Sequence, residues 1–273
     1  MPELAEVVYF KNKWNPGLEK AVTRVRLQAQ KRPFRGCDTS GLKRGLKGCV
    51  LEAGQTRGKQ MVFRFSGGQW LGVHLGMAGK LFCEPLPYAP AKHDHLILEQ
   101  ADAEQVLIFR DLRHFGRIRY DVTDDADGPE WWQAIGPDPR SADFTKEHVK
   151  TFLARHGKAP MKAVLLKQEG FPGIGNWMAD EILWRARIHP AELAGDLSAR
   201  KVTDIFKETV AVVEGALSTI AHHNEDPPEG WLFQVRWRDG GICPKTGKEL
   251  VREEIGGRTT CWSPGRQVLQ GGK

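Results

Sequence analysis

The chain has 273 residues, 40% of them hydrophobic, enough for two modest domains or one large one and too apolar for a disordered tail. Forty Lys and Arg against 34 Asp and Glu give a net charge of +6 and a pI near 9.1, which suits a polyanionic partner. The start MPELAEVVYF lacks a basic leader and no run of 18 uncharged apolar residues occurs, so secretion and membrane insertion are disfavoured and a cytoplasmic, nucleoid-associated location is expected.

In chain order, AEVVYFKNKW has the apolar spread of a short helix, and short apolar segments bounded by turn residues follow it. VTRVRLQ, KGCVLEAGQ, QMVFRFS, WLGVHL, HLILEQ, VLIFR and RIRYDV are the expected strands, with SGG at 66–68 closing a hairpin; their spacing predicts a β-sandwich or barrel. The turn-rich stretch from 131 to 144 reads as a linker between a first domain, 1–130, and a second, 145–273. Helices are expected at about 145–155, 160–168, 176–187, 197–207 and 207–222, with starts at Asn176 and Ser198 and a stop at Pro190. WLFQVRW, ELVREEI and RTTCW then predict a terminal β-ribbon within about 235–270, turned at the glycine pair 256–257. The fold class is therefore α+β.

The first chemical clue is Pro2. Met before a small residue is normally removed, and the new terminus is a secondary amine; an α-amino group has a pKa of roughly 8, so roughly a tenth is neutral at pH 7. Such an amine attacking C1′ of a sugar gives a cationic iminium, an electron sink for later elimination. Glu3 is placed to protonate the sugar ring oxygen or relay the amine proton, and Glu6, three residues on, puts a second carboxylate on the same helix face. Arg110, Arg113, Arg117 and Arg119 around Phe115, and Arg236 and Arg238 beside Trp237, interleave charge with aromatic surface as nucleic-acid contacts do. His74, His93 and His95 lie on or beside strands with no fourth ligand evident and read as structural histidines. Cys37, Cys49, Cys83, Cys243 and Cys261, odd in number and without repeated CxxC spacing, argue against a disulfide framework and a complete zinc site.

PELAEV is similar to the PELPEV start of the formamidopyrimidine-DNA glycosylase and endonuclease VIII family. RGKQMVFRF, HLGMAGKL, KHDHLIL, RDLRHFG, IGPDPR, MKAVLLKQEGFPGIGNWMADEILWRARIHP and FQVRWRDGGICPKTGKELVREEIGGRTT follow in the family's order, over nearly the whole chain. The resemblance implies an N-terminal helix plus β-sandwich, a helical domain with a helix-two-turn-helix, and a C-terminal β-ribbon finger. It implies a bifunctional DNA glycosylase and abasic-site lyase of base excision repair, acting through a Schiff base to the N-terminal proline and cutting the strand by β/δ-elimination. Its partner is damaged DNA, duplex or single-stranded, and the protein is expected to be a monomer.

On residues, the resemblance makes Lys59 a catalytic-site lysine and Lys162, Asn176 and Arg258 DNA-backbone contacts. Met77, Arg113 and Phe115 become the side chains that fill the hole left by an extruded nucleotide. GIG before Asn176 would let the helix N-terminus and the Asn amide hold a phosphate.

The sequence departs from the family in three places. The four zinc-ligand positions of the usual finger fall on Cys243, Thr246, Ser263 and Arg266, so a zincless finger is expected, packed on Trp237 and Trp262, with no cofactor. The loop AHHNEDPPEGWLFQV is shorter than in members specific for oxidised guanine, leaving oxidised pyrimidines, ring-opened purines and abasic sites open as substrates. Leu112 and His114 in RDLRHFG replace the usual Pro and a second basic residue. A non-catalytic binder of damaged or distorted DNA on the same scaffold, or an RNA-binding module, are the alternatives.

Overall fold

The computed structural model describes residues 1–101 and 105–269; residue 270, the far end of the expected finger, lies outside the described residues. The chain divides into two compact units, one of Met1–Pro2 with Glu6–Ile135, the other of Glu3–Ala5 with Gly136–Lys273. The division falls inside the stretch read as a linker, but residues 131–135 are not a bare connection. They belong to the first unit, where Trp132 is buried with Val62 and Trp70, and the Trp131 indole donates to Asp121 Oδ2 at 2.8 Å.

The first unit opens with α1 (Leu4–Asn12) and carries α2 (Thr39–Gly45) and α3 (Glu130–Gln133) around eight strands. The strands are β1 (Val22–Leu27), β2 (Leu51–Arg57), β3 (Gln60–Phe65), β4 (Gln69–His74), β5 (Gly79–Pro85), β6 (Asp94–Gln100), β7 (Gln105–Asp111) and β8 (Arg117–Val122). They form two antiparallel four-stranded sheets, β1-β6-β7-β5 and β2-β3-β4-β8. Alternate residues of both sheets, among them Leu81, Leu96, Leu98, Leu107 and Phe109 on one and Met61, Phe63, Leu71, Val73 and Ile118 on the other, share one core with Val7 and Trp14. Gly67 and Gly68, both with positive φ, close the β3–β4 hairpin as their turn requires. Strand β5 escapes the sequence reading because it is an edge strand whose apolar positions are interrupted by Lys80 and Glu84.

The second unit holds α4 (Lys146–Arg155), α5 (Met161–Leu165), α6 (Asn176–Ala186), α7 (Ala199–Ala216) and the hairpin β9 (Val251–Ile255)–β10 (Arg258–Trp262). Two expectations are corrected. The helices expected at 197–207 and 207–222 are one, because Ile205, Thr209, Val212, Val213 and Ala216 make an unbroken buried stripe that continues into a π-turn at Leu217–Ala221. WLFQVRW is not a strand: Leu232 and Arg236 are buried and Val235 packs on the same cluster, a helical spacing, and Leu232–Gln234 forms a 3-10 turn. No helix among the described residues is long and apolar enough to cross a membrane.

Candidate active site

In the first unit, Met1 is exposed and Pro2, next to it, is half-buried. Lys59 sits in the tight β2–β3 turn after Gly58, whose φ of 56° needs glycine, and is only 8% exposed, which separates it from an ordinary strand-edge lysine. Gln60 pairs with His74 across β3 and β4, so the ammonium and the imidazole share the strand ends. Burial, and then the positive charges of Lys59, Arg119 and Arg117, push His74 down to about 4. Its Nδ1 accepts from Gly76 N at 3.1 Å, which the neutral ring can do.

A pH effect on stability follows. The folded value near 4 lies below the ordinary 6.5, so the unfolded chain takes up this proton first on acidification. The stabilisation is complete above about pH 6.5 and lost as pH falls through 4, on the order of 3 kcal/mol. Urea unfolding at pH 7 and pH 4.5 should show a smaller acid loss for His74→Asn than for the parent chain; equal losses would exclude His74 as the group responsible.

Met77 and the Arg113–Phe115 pair occupy adjoining loops. Gly76 lies so close to the Phe115 backbone that a Cβ there would come within 2.3 Å of its carbonyl carbon. Asp111 shapes the second loop by accepting from Arg113 N at 3.0 Å and Gly116 N at 2.6 Å. Met77 is 46% exposed and Phe115 41%, and the guanidinium of Arg113 stacks 5.2 Å from the Phe115 centroid. These apolar side chains are thus held out in solvent rather than placed in the core. Of the other arginines around Phe115, Arg110 is ion-paired with Asp94 at 2.6 Å and Arg119 stacks on Trp131.

In the second unit, the Glu3 carboxylate is buried against the start of α6. It accepts from Gly175 N at 2.9 Å, Trp177 N at 3.0 Å and Met178 N at 3.2 Å. A carboxylate at this end of a helix satisfies otherwise orphaned amides and meets the positive end of the helix dipole. Gly175 is required: a Cβ would lie 2.3 Å from Glu3 Cδ. Two expectations change. Glu3 precedes the first helical residue of α1 and turns to α6, so it does not share a helix face with Glu6, which is half-buried in the first unit. The N–H groups of Gly175, Trp177 and Met178, at the helix start expected to hold a phosphate, are taken by Glu3, which leaves Asn176 as the candidate there.

Asn176 is the first residue of α6, with Gly175 as its cap, and its Nδ2 donates to Thr259 O at 2.9 Å, tying the helix to the finger hairpin. Lys162 does not face solvent. It is completely buried, with Nζ 2.5 Å from Asp180 Oδ1 and 2.8 Å from Asn176 O. Arg236 is equally withdrawn: it donates to Asp180 Oδ2 through Nε and Nη2, and Cys261 N reaches the same oxygen at 2.9 Å. Asp180 therefore joins α5, α6, the 3-10 turn region and β10. Burial pulls the Lys162 ammonium down and Asp180 opposes it. Arg258 is exposed directly after the Gly256–Gly257 turn, both glycines having positive φ.

The family model for the formamidopyrimidine-DNA glycosylase N-terminal domain matches residues 1–118, and that for the formamidopyrimidine-DNA glycosylase H2TH domain matches residues 135–225. The chain belongs to the formamidopyrimidine-DNA glycosylase family. The formamidopyrimidine-DNA glycosylase of Carboxydothermus hydrogenoformans is 33% identical over 273 residues, 97% of this chain and 98% of its own. That of Roseiflexus sp. is 38% identical over 217 residues, 76% of this chain and 78% of its own. Among solved structures, the Lactococcus lactis enzyme non-covalently bound to DNA containing an AP site matches with a TM-score of 0.85 at 26% identity, over 97% of this chain and 99% of that one. A variant of that enzyme with Fapy-dG-containing DNA matches with a TM-score of 0.84 at 27% identity, over 97% and 99%.

Against this family's zinc finger, the four ligand positions carry a poor donor set. Cys243 is buried beside Trp184, whose indole N–H lies 3.4 Å from its Sγ. Burial raises the Cys243 thiol, but hydrogen bonds from Ser263, Thr246 and Trp184 outweigh this and hold it at about 7. Arg266, the fourth position, has no lone pair to offer and donates its Nε to Trp184 O at 2.8 Å. One thiol, two hydroxyls and a guanidinium do not fit tetrahedral zinc. Trp237 is not the packing substitute: it is 56% exposed. The finger rests instead on Trp184, Leu232, Cys243, Leu250 and Cys261, while Trp262 packs edge-on against His189. Trp184 and Asp180 escaped the sequence reading, although an acidic residue within an otherwise buried helix face was a signal that a buried cation must answer it.

Proposed function

We propose that the chain is a bifunctional DNA glycosylase and abasic-site lyase of base excision repair. The observation that carries this reading is the Glu3 carboxylate, immobilised by three amides of the α6 start and adjacent in sequence to the amine that Met1 removal creates at Pro2. An acid fixed in this way loses no orientational freedom at the moment of proton transfer.

In the proposed sequence, Glu3 protonates the sugar ring oxygen while the Pro2 nitrogen attacks C1′. The N–C1′ bond forms, the glycosidic bond breaks and the base leaves with its electron pair. Loss of the amine proton to the Glu3 carboxylate frees the nitrogen lone pair, which breaks the C1′–O4′ bond, opens the sugar ring at its protonated oxygen and forms the iminium. The iminium acidifies C2′; removal of a C2′ proton expels the 3′ phosphate by β-elimination, and a second elimination expels the 5′ phosphate. Lys59 pairs with a phosphate and the opened sugar, and Glu6 assists as a second carboxylate. Asn176, through its remaining N–H, and Arg258 hold the backbone; Met77, Arg113 and Phe115 fill the vacated stack. No cofactor is needed, the finger works without zinc, and the protein acts as a monomer on damaged DNA, duplex or single-stranded. Only ten residues separate the π-turn end at Ala221 from Leu232, which favours oxidised pyrimidines, ring-opened purines or abasic sites over a fully enclosed oxidised guanine.

Borohydride reduction of the mature protein on abasic-site DNA tests the nucleophile. A covalent adduct is expected for the parent chain and its loss for Pro2→Gly; equal trapping by both would move the nucleophile elsewhere, and binding without cleavage over a lesion panel would leave a non-catalytic binder.

A further inference from the structure

His93 immediately precedes β6, His95 is its second residue, and His114 lies in the turn between β7 and β8. The three rings converge, with centroids 4.7 Å apart for His95 and His114, 5.6 Å for His93 and His114, and 6.4 Å for His93 and His95. One ring nitrogen from each lies within 4.8 Å of the other two. His95 Nε2 is 2.9 Å from Asp111 O; a carbonyl only accepts, so this nitrogen carries the hydrogen and Nδ1 keeps the lone pair. That Nδ1 and the Nδ1 of His93 are both buried without a hydrogen-bond partner. A carbonyl fixing the far nitrogen of a histidine is the usual outer support of a metal-bound imidazole. His114 is held in the left-handed region at φ 58°, where most residues are strained, and Asp111 organises both ends of the same turn.

We propose that His93, His95 and His114 bind one first-row transition-metal ion of the Zn²⁺ class through three imidazoles, with the remaining position open to water. Three nitrogens without a carboxylate among them suit Zn²⁺, Co²⁺, Ni²⁺ or Cu²⁺ and not Mg²⁺ or Ca²⁺, which demand oxygen. Metal–nitrogen bonds of about 2.0–2.1 Å require the half-buried rings of His93 and His114 to close on the fixed ring of His95. The bound ion would fix the turn whose flanking residues are Arg113 and Phe115, so occupancy sets how rigidly these two side chains are presented. This site belongs wholly to the first unit, is distinct from the finger cysteines, and does not depend on the proposed lyase chemistry.

The test is titration of the metal-free full chain with Co²⁺ and Zn²⁺, followed by visible absorption and by amide hydrogen exchange. A single equivalent of Co²⁺ with a nitrogen-ligand spectrum is expected, together with slower exchange at residues 113–116 on adding Zn²⁺. His114→Asn keeps a residue that tolerates positive φ but removes the third imidazole, and should weaken binding by at least about 100-fold and abolish the slowed exchange. Cys243→Ser should bind as the parent does. No saturable binding, unchanged affinity in His114→Asn, or a thiolate charge-transfer band that disappears in Cys243→Ser would each overturn the assignment.

Discussion

Glu3→Gln is expected to slow base release by about 10²–10⁴-fold, the usual contribution of a positioned general acid. The substitution also has a structural cost. Glu3 Oε2 accepts from Gly175 and Met178 and Oε1 from Trp177, so an amide can keep two of these bonds but must turn its NH₂ toward a third donor. That loss is about 1–3 kcal/mol, well short of unfolding a domain of ordinary stability. Strand cleavage at a pre-formed abasic site separates chemistry from damage to the fold. Such a sugar has already lost its base and opens without ring protonation, so it should be cut much closer to the parent rate than a damaged nucleotide is. Gly175→Ala leaves the carboxyl group chemically intact and crowds it out of position, and should reproduce the same split. Single-turnover base release within a few fold of the parent for Glu3→Gln would remove Glu3 from the acid role.

Asp180→Ala is expected to destabilise the second unit by about 3–5 kcal/mol, because it strands two buried cations at once. Lys162 and Arg236 each lose their carboxylate partner, and the amide of Cys261 loses its acceptor. Urea unfolding would show this as a lower midpoint, and Lys162→Met in the same background should recover part of it, since a chain without the stranded ammonium no longer carries that penalty. A loss below about 1 kcal/mol would mean that water reaches the triad and relieves the charges.

The adjacency of Pro2 and Glu3 was legible in the sequence because it is covalent, and the sandwich strands because alternate residues of both sheets face one core. The linker, the strand read at 231–237 and the two-helix division of α7 failed for a shared reason. In each, the deciding contact comes from elsewhere in the chain: Trp132 is claimed by Val62 and Trp70, Leu232 by Trp184, and the midpoint of α7 by the neighbours of an unbroken stripe. Lys162 and Arg236 were misread as solvent-facing cations because nothing local distinguishes a lysine aimed at a phosphate from one aimed at an aspartate 18 residues further on. His114 illustrates the reverse case. Beside Phe115 it reads as one more polar substitution, and only the β6–β7 pairing and the turn after β7 bring it to His93 and His95.

Glu3, Leu4 and Ala5 are built into the helical unit although some 130 residues of sandwich separate them from the rest of it. During synthesis at roughly 5–20 residues per second, the third residue made waits roughly 10–35 s for Met178 to be joined to the chain before it can meet all its amide partners. A gene fragment encoding only residues 136–273 would lack that carboxylate permanently and begin its central helix with three unanswered N–H groups. The boundary between the units is thus not a boundary of inheritance: the helical half, transplanted, duplicated or recombined without the first residues of the chain, loses the carboxylate that answers these amides.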